Sequence, residues 1–88
     1  MISAAQIRAA RALLGISASE LASRANVGLA TIQRFETQEG VPISRSATLP
    51  RIQKALEDAG VVFLGDPINS PGVQLQHRPR QLRTATEK

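Results

Sequence analysis

Apolar positions recur at helical spacing over the first two-thirds of the chain and at strand spacing after it. Ile7, Ala10 and Leu14 share one face of a helix predicted from Ala4 to Leu14. Ser3 and Gln6 have the spacing of a capping box, and Gly15 stands where a left-handed residue ends a helix. A second helix is predicted to begin after Ser17, with Glu20 completing another capping box and Leu21, Ala22 and Ala25 facing inward. Asn26 and Gly28, both tolerant of positive φ, flank Val27 in a tight turn. A third helix then runs from about Leu29 to Thr37, anchored by Ile32 and Phe35. After a loop over 38–46, Leu49, Ile52, Leu56 and Ala59 mark a fourth helix from about Ala47 to Ala59. Pro50 fits its first turn, where a missing N–H costs nothing, so Ser46 or Thr48 is expected at the N-cap.

Val61 to Leu64 is β-branched and aromatic, and Val73 to His77 alternates apolar with polar. The two runs predict a hairpin with a long loop. The fold class is therefore mainly α: four helices followed by a C-terminal β-hairpin. Residues 1–60 form the helical domain, 61–77 the hairpin, and 78–88 a basic tail with too little apolar content to order itself.

The stretch from Ser17 to Glu36 is the most informative part of the pattern. Two short helices joined by a tight turn, the second with a polar outer face, have the layout of a helix-turn-helix, whose second helix enters the DNA major groove. On a helix anchored by Ile32 and Phe35, Gln33 and Arg34 project outward. Gln bonds adenine through two hydrogen bonds, and Arg bonds guanine or a phosphate. The competing reading of both is an ordinary solvated face.

Composition narrows the alternatives. There is no Cys, and the single His77 builds no metal cluster alone, so neither disulfide, metal nor cofactor is expected. His77 reads as a surface residue at a strand end. No catalytic residue set is visible: no nucleophile–base pair, carboxylate dyad or Gly-rich phosphate loop, so the chain is not expected to be an enzyme. No apolar run approaches the roughly 20 residues that span a bilayer, and the start lacks a basic-then-apolar leader pattern. A cytoplasmic protein without membrane contact is expected. Two Phe and no Trp or Tyr argue against stacking on single-stranded nucleic acid. The net charge is +4, but residues 1–77 hold seven basic against six acidic side chains. Most of the excess lies in Arg78, Arg80, Arg83 and Lys88, which either attract phosphate without regard to sequence or are inert.

Residues 7–59 resemble the lambda-repressor-like helix-turn-helix family, the Xre/Cro group of bacterial and phage regulators. The matching residues are Arg11 and Leu14-Gly15-Ile16-Ser17, then Glu20-Leu21-Ala22, then Thr31-Ile32-Gln33-Arg34-Phe35-Glu36. The run from Ala55 to Leu64, followed by Pro71-Gly72-Val73, is similar to small Xre-like proteins in which a β-hairpin replaces a fifth helix. The resemblance implies base contacts from Leu29, Ala30, Gln33 and Arg34. It implies phosphate contacts from Ser17, Ser19, Thr31, Ser44, Arg45 and Ser46, with Thr48 beside them. It also implies an ion pair between Arg11 and Glu36 that ties the first helix to the end of the third. Ala18 stands where the family usually has a phosphate-gripping Gln, and Gly28 where it often has Ser or Thr. Leu29 and Ala30 are apolar and suit thymine methyl groups.

The implied function is a sequence-specific transcriptional regulator, a repressor by occlusion, that binds double-stranded DNA as a homodimer. Its half-sites would lie about 34 Å apart, and it would associate with the bacterial nucleoid when bound. Val61, Phe63, Val73 and Leu75 are the expected dimer interface, unless they complete the monomer's own core. The alternative function is an antitoxin or antiactivator that grips a protein partner, a toxin or another regulator.

Overall fold

A computed structural model describes residues 1–44 and 47–76. Four helices, α1 (Ala4–Leu14), α2 (Ala18–Ala25), α3 (Leu29–Thr37) and α4 (Thr48–Asp58), precede strands β1 (Val61–Leu64) and β2 (Gly72–Leu75). The strands form one antiparallel two-stranded sheet, with Val61 opposite Leu75 and Leu64 opposite Gly72. Among the described residues no helix is long and apolar enough to cross a membrane.

Helix α1 starts as its sequence dictates. The Ser3 hydroxyl accepts from the Gln6 N–H, and Gln6 Oε1 accepts from the Ser3 N–H at 2.9 Å. Ile2 and Ile7 occupy the two positions of a hydrophobic staple around this cap, and both are buried. At the other end Gly15 takes φ 69, a left-handed conformation that few residues other than glycine adopt without strain.

At α2 only half of the expected capping box forms. The Ser17 hydroxyl accepts from the Glu20 N–H, but the Glu20 carboxylate turns to Arg24, one turn along, at 3.0 Å. A Glu four residues before an Arg is a favourable pair on an exposed helix, and it competes with the reach back to the cap. In the turn that follows, Asn26 alone is left-handed, at φ 58. Gly28 is extended, at φ −73, and serves as the N-cap of α3 without a side-chain hydrogen bond. A single left-handed residue therefore reverses the chain, and Gly28, though tolerant of positive φ, does not adopt it.

Helix α4 begins one residue later than its apolar spacing suggests. Ala47 is its N-cap, contributing no side-chain bond, and Thr48 lies inside the first turn rather than at the cap. Pro50 falls in that turn, where its missing N–H would have had no helical partner. Ser46, the other expected cap, lies outside the described residues.

One core joins all of these elements. Ile7 and Ala10 from α1, Leu21 from α2, Ile32 and Phe35 from α3, Ile52 and Leu56 from α4, and Val61 from β1 are all within 2% of full burial. Burying each large side chain stabilises the fold by about 1.5–3 kcal/mol. The second strand is displaced from its sequence prediction. It covers Gly72–Leu75 rather than Val73 to His77, because Gly72 pairs with Leu64, and His77 lies outside the described residues.

Candidate nucleic-acid interface

Burial of Ile32 and Phe35 on the inner side of α3 turns Leu29, Ala30, Gln33, Arg34 and Thr37 to solvent. Helical spacing gathers Ala30, Gln33, Arg34 and Thr37 on one outer surface, one turn apart, with Leu29 at its start. Leu29 is 39% exposed, which is enough for its methyl groups to meet an apolar surface. Thr31 is half-buried.

Arg34 has a defined resting position that the sequence pattern does not reveal. Its guanidinium carbon lies 5.4 Å from the centroid of the Phe35 ring. A cation over an aromatic ring is worth about 0.5–1 kcal/mol at an exposed site, so the side chain is oriented but free to leave. The Thr37 hydroxyl donates to the Arg34 carbonyl at 2.9 Å, which closes the last turn of α3.

The electrostatics of this surface depend on a contact behind it. Glu36 is the only acidic residue in α3. Its carboxylate accepts two hydrogen bonds from Arg11, Nε to Oε2 at 2.7 Å and Nη2 to Oε1 at 2.9 Å. The third Arg11 nitrogen donates to the Ile16 carbonyl, and Arg8 donates to the Glu36 carbonyl. The Glu36 side chain is only 10% exposed. Hydrogen bonding to Glu36, reinforced by its charge and opposed by burial, raises the Arg11 pKa above its ordinary value. The ion pair therefore favours the charged guanidinium still further. This clamp fixes the angle of α3 against α1 and also withdraws the helix's negative charge from its outer face. Arg24 and Lys54 are neutralised by Glu20 and Asp58, whereas Arg34 has no acidic partner among the described residues.

The expected phosphate-binding residues are placed unevenly. Ser17 and Ser19 lie exposed at the start of α2, and the Ser17 hydroxyl is committed to its capping bond. Ser44 is half-buried in the loop before α4. Arg45 and Ser46 lie outside the described residues, as do Arg78, Arg80, Arg83 and Lys88.

The four expected dimer residues share a face of the hairpin, but that face turns inward. Val61 is 2% exposed and belongs to the core, while Phe63 and Val73 pack partly buried against the same core. Leu75, opposite Val61, is half-buried. The two strands had to cover the helices, since an isolated two-stranded hairpin is marginal in water.

Gln6 has a role beyond its cap. Its Nε2 donates to the carbonyls of Leu64 at 3.3 Å and Gly72 at 2.9 Å, the last pair of the hairpin. The side chain is buried, and both its oxygen and its nitrogen are engaged. No protein-family model matches this chain, and no curated protein matches it.

Proposed function

We propose that the chain is a sequence-specific double-stranded DNA-binding protein of helix-turn-helix type. It acts as a transcriptional repressor, and α3 is its recognition helix. The observation that carries this reading is the asymmetry of α3. Ile32 and Phe35 are buried, and the one carboxylate is locked behind the helix by Arg11. Leu29, Ala30, Gln33 and Arg34 stand outward with no acidic neighbour on their own helix. Such a face meets a polyanion without repulsion, and two of its side chains are of the types that read adenine and guanine edges.

In the bound state, α3 lies in the major groove. Gln33 and Arg34 reach base edges while Leu29 and Ala30 meet thymine methyl groups. Ser17, Ser19 and Thr31, with the loop that carries Ser44, Arg45 and Ser46, hold phosphates and set the register without reading sequence. Because few long polar side chains face outward on α3, DNA shape supplies a large share of the specificity. The basic side chains beyond residue 77 add salt-dependent attraction. The protein binds as a homodimer to an inverted repeat.

The test is affinity selection of sheared genomic DNA on the purified protein at about 150 mM salt, followed by sequencing. Sharp peaks that share an inverted repeat are expected. Flat coverage would overturn the reading.

A further inference from the structure

The loop between β1 and β2 is a built structure, not a slack connection. The Asp66 carboxylate accepts from the N–H groups of Ile68 and Asn69, and the Ser70 N–H donates to the Asp66 carbonyl at 3.0 Å. Pro67 and Pro71 fix φ at two further positions. Within this frame Ile68 is held 57% exposed, an apolar side chain that the core does not use.

Ile68 meets the loop that leads from α3 to α4. Gly40 in that loop is left-handed, at φ 71. A Cβ there would lie 3.2 Å from Ile68 Cδ1, so the methyl group takes up space that glycine leaves open. The Gly40 carbonyl accepts from the Ala4 N–H, the first of α1, at 2.8 Å. Across the hinge, Gln38 Oε1 accepts from the Ile43 N–H at 3.1 Å. Beyond Gly40, Val41 packs against the core and Pro42 is buried. Glycine reaches either sign of φ with ease, so Gly40 is the point at which this loop can turn between the end of α3 and its anchored part. Ile68 and the Ala4 N–H hold that point in one conformation. A cavity of about 380 Å³ is lined by Pro67 and Pro71 and by Gln38 and Glu39, so the two loops do not pack tightly along their length and the contact at Gly40 is narrow.

We infer that loop 65–71 is a strut, and that Ile68 and Gly40 are positioning residues for DNA binding. The inference rests on the proposed function, in which the loop after α3 holds phosphates. Ser44 of that loop lies four residues past Gly40. A hydrogen bond to phosphate weakens steeply once its length or angle is wrong, so the conformation at Gly40 decides how well the loop grips. Ile68 has neither charge nor hydrogen-bonding group, and it acts through Gly40. The strut is fixed at its base, where Gln6 of α1 bonds the Leu64 and Gly72 carbonyls that flank it. Phosphate contacts supply affinity without reading sequence. The strut therefore sets how tightly the protein binds, and α3 sets where.

The test is titration of the full chain onto the selected duplex and onto a scrambled one over a range of salt concentrations, combined with amide exchange without DNA. Ile68→Ala removes the methyl group that meets Gly40, and Ile68→Leu restores a side chain of equal size. Ile68→Ala is expected to weaken binding to both duplexes by the same factor, about tenfold, as for one phosphate contact out of place. The slope of log affinity against log salt should become shallower by about 1, with the preference for the selected duplex unchanged. Exchange at the Ile43 N–H should quicken while α3 stays protected, and Ile68→Leu should behave as wild type. A variant that merely weakened the fold would lower the melting temperature without changing the salt slope. Wild-type affinity and slope in folded Ile68→Ala would overturn the inference and leave the DNA reading intact. A loss confined to the selected duplex would also overturn it, since the effect would then lie on α3. Flat coverage in the genomic selection would overturn the DNA reading itself, and unchanged exchange at Ile43 would overturn the strut whatever the selection shows.

Discussion

The two ends of α1 dock two different elements by two different chemistries. Near its N-terminus, the neutral amide of Gln6 bridges the Leu64 and Gly72 carbonyls and fastens the hairpin. One and a half turns further on, Arg11 grips the Glu36 carboxylate through two hydrogen bonds and fastens α3. The hairpin presents two backbone carbonyls to Gln6, so an amide satisfies them without burying a charge. Helix α3 presents a carboxylate, which needs an opposite charge when it leaves water. The expensive contact is found where a negative charge has to be kept off an exposed face, and the cheaper one where only position matters.

Breaking the charged contact on one side has the largest expected effect. Arg11→Met leaves a carboxylate that is 10% exposed without its partner. A loss of about 2–4 kcal/mol is expected in urea denaturation, measured with the Met variant against wild type. Arg11→Met together with Glu36→Leu removes both charges. It should recover most of that loss, because replacing a whole pair by apolar groups is often nearly neutral. A double variant as unstable as the single one would show that the pair contributes more than its charges.

Gln6→Leu comes next, with a loss of about 2 kcal/mol from two carbonyls and one N–H left without the amide. Because the hairpin and not α3 is freed, amide exchange should quicken in β1 and β2 before it does in α3. Equal quickening in both elements would contradict the division of labour along α1.

The smallest effect concerns the loop between the strands. Asp66 accepts from the N–H groups of Ile68 at 2.8 Å and Asn69 at 3.1 Å, and these bonds hold its pKa below the ordinary value. A carboxyl whose folded pKa is depressed stabilises the fold above its unfolded pKa and loses that contribution as pH falls through the folded one. The hairpin should therefore loosen slightly below about pH 4, and Asp66→Ala should remove this dependence. Thermal melts of the two proteins from neutral to acid pH measure the difference.

Local chemistry was the legible part of the sequence. Ser3 and Gln6 marked the start of α1, Gly15 its end, and the spacing of Ile32 and Phe35 oriented α3. The long-range partners of those same residues were not legible. Gln6 reads as a cap within three residues, and nothing in its spacing points to carbonyls 58 and 66 residues away. Ile2 is buried yet lies before the first helix, where no helical period reaches it. Asn26 and Gly28 both tolerate positive φ, and residue type alone did not say that only Asn26 adopts it. Alternation placed Val61, Phe63, Val73 and Leu75 on one face, yet alternation cannot say whether that face meets the chain's own helices or another molecule. In the candidate interface, the outward side of α3 followed from the pattern, whereas the stacking of Arg34 on Phe35 did not.

The central claim is that the outer face of α3 reads DNA. The most direct measurement compares wild type with the Gln33→Ala, Arg34→Ala double variant on the DNA recovered by selection and on a scrambled duplex. Both side chains are exposed, so the double variant should keep its circular dichroism spectrum and melting temperature. Losing two base contacts at about 1–3 kcal/mol each, the variant should bind the selected site no more tightly than the scrambled one. Undiminished preference for the selected site in a folded variant would contradict the account.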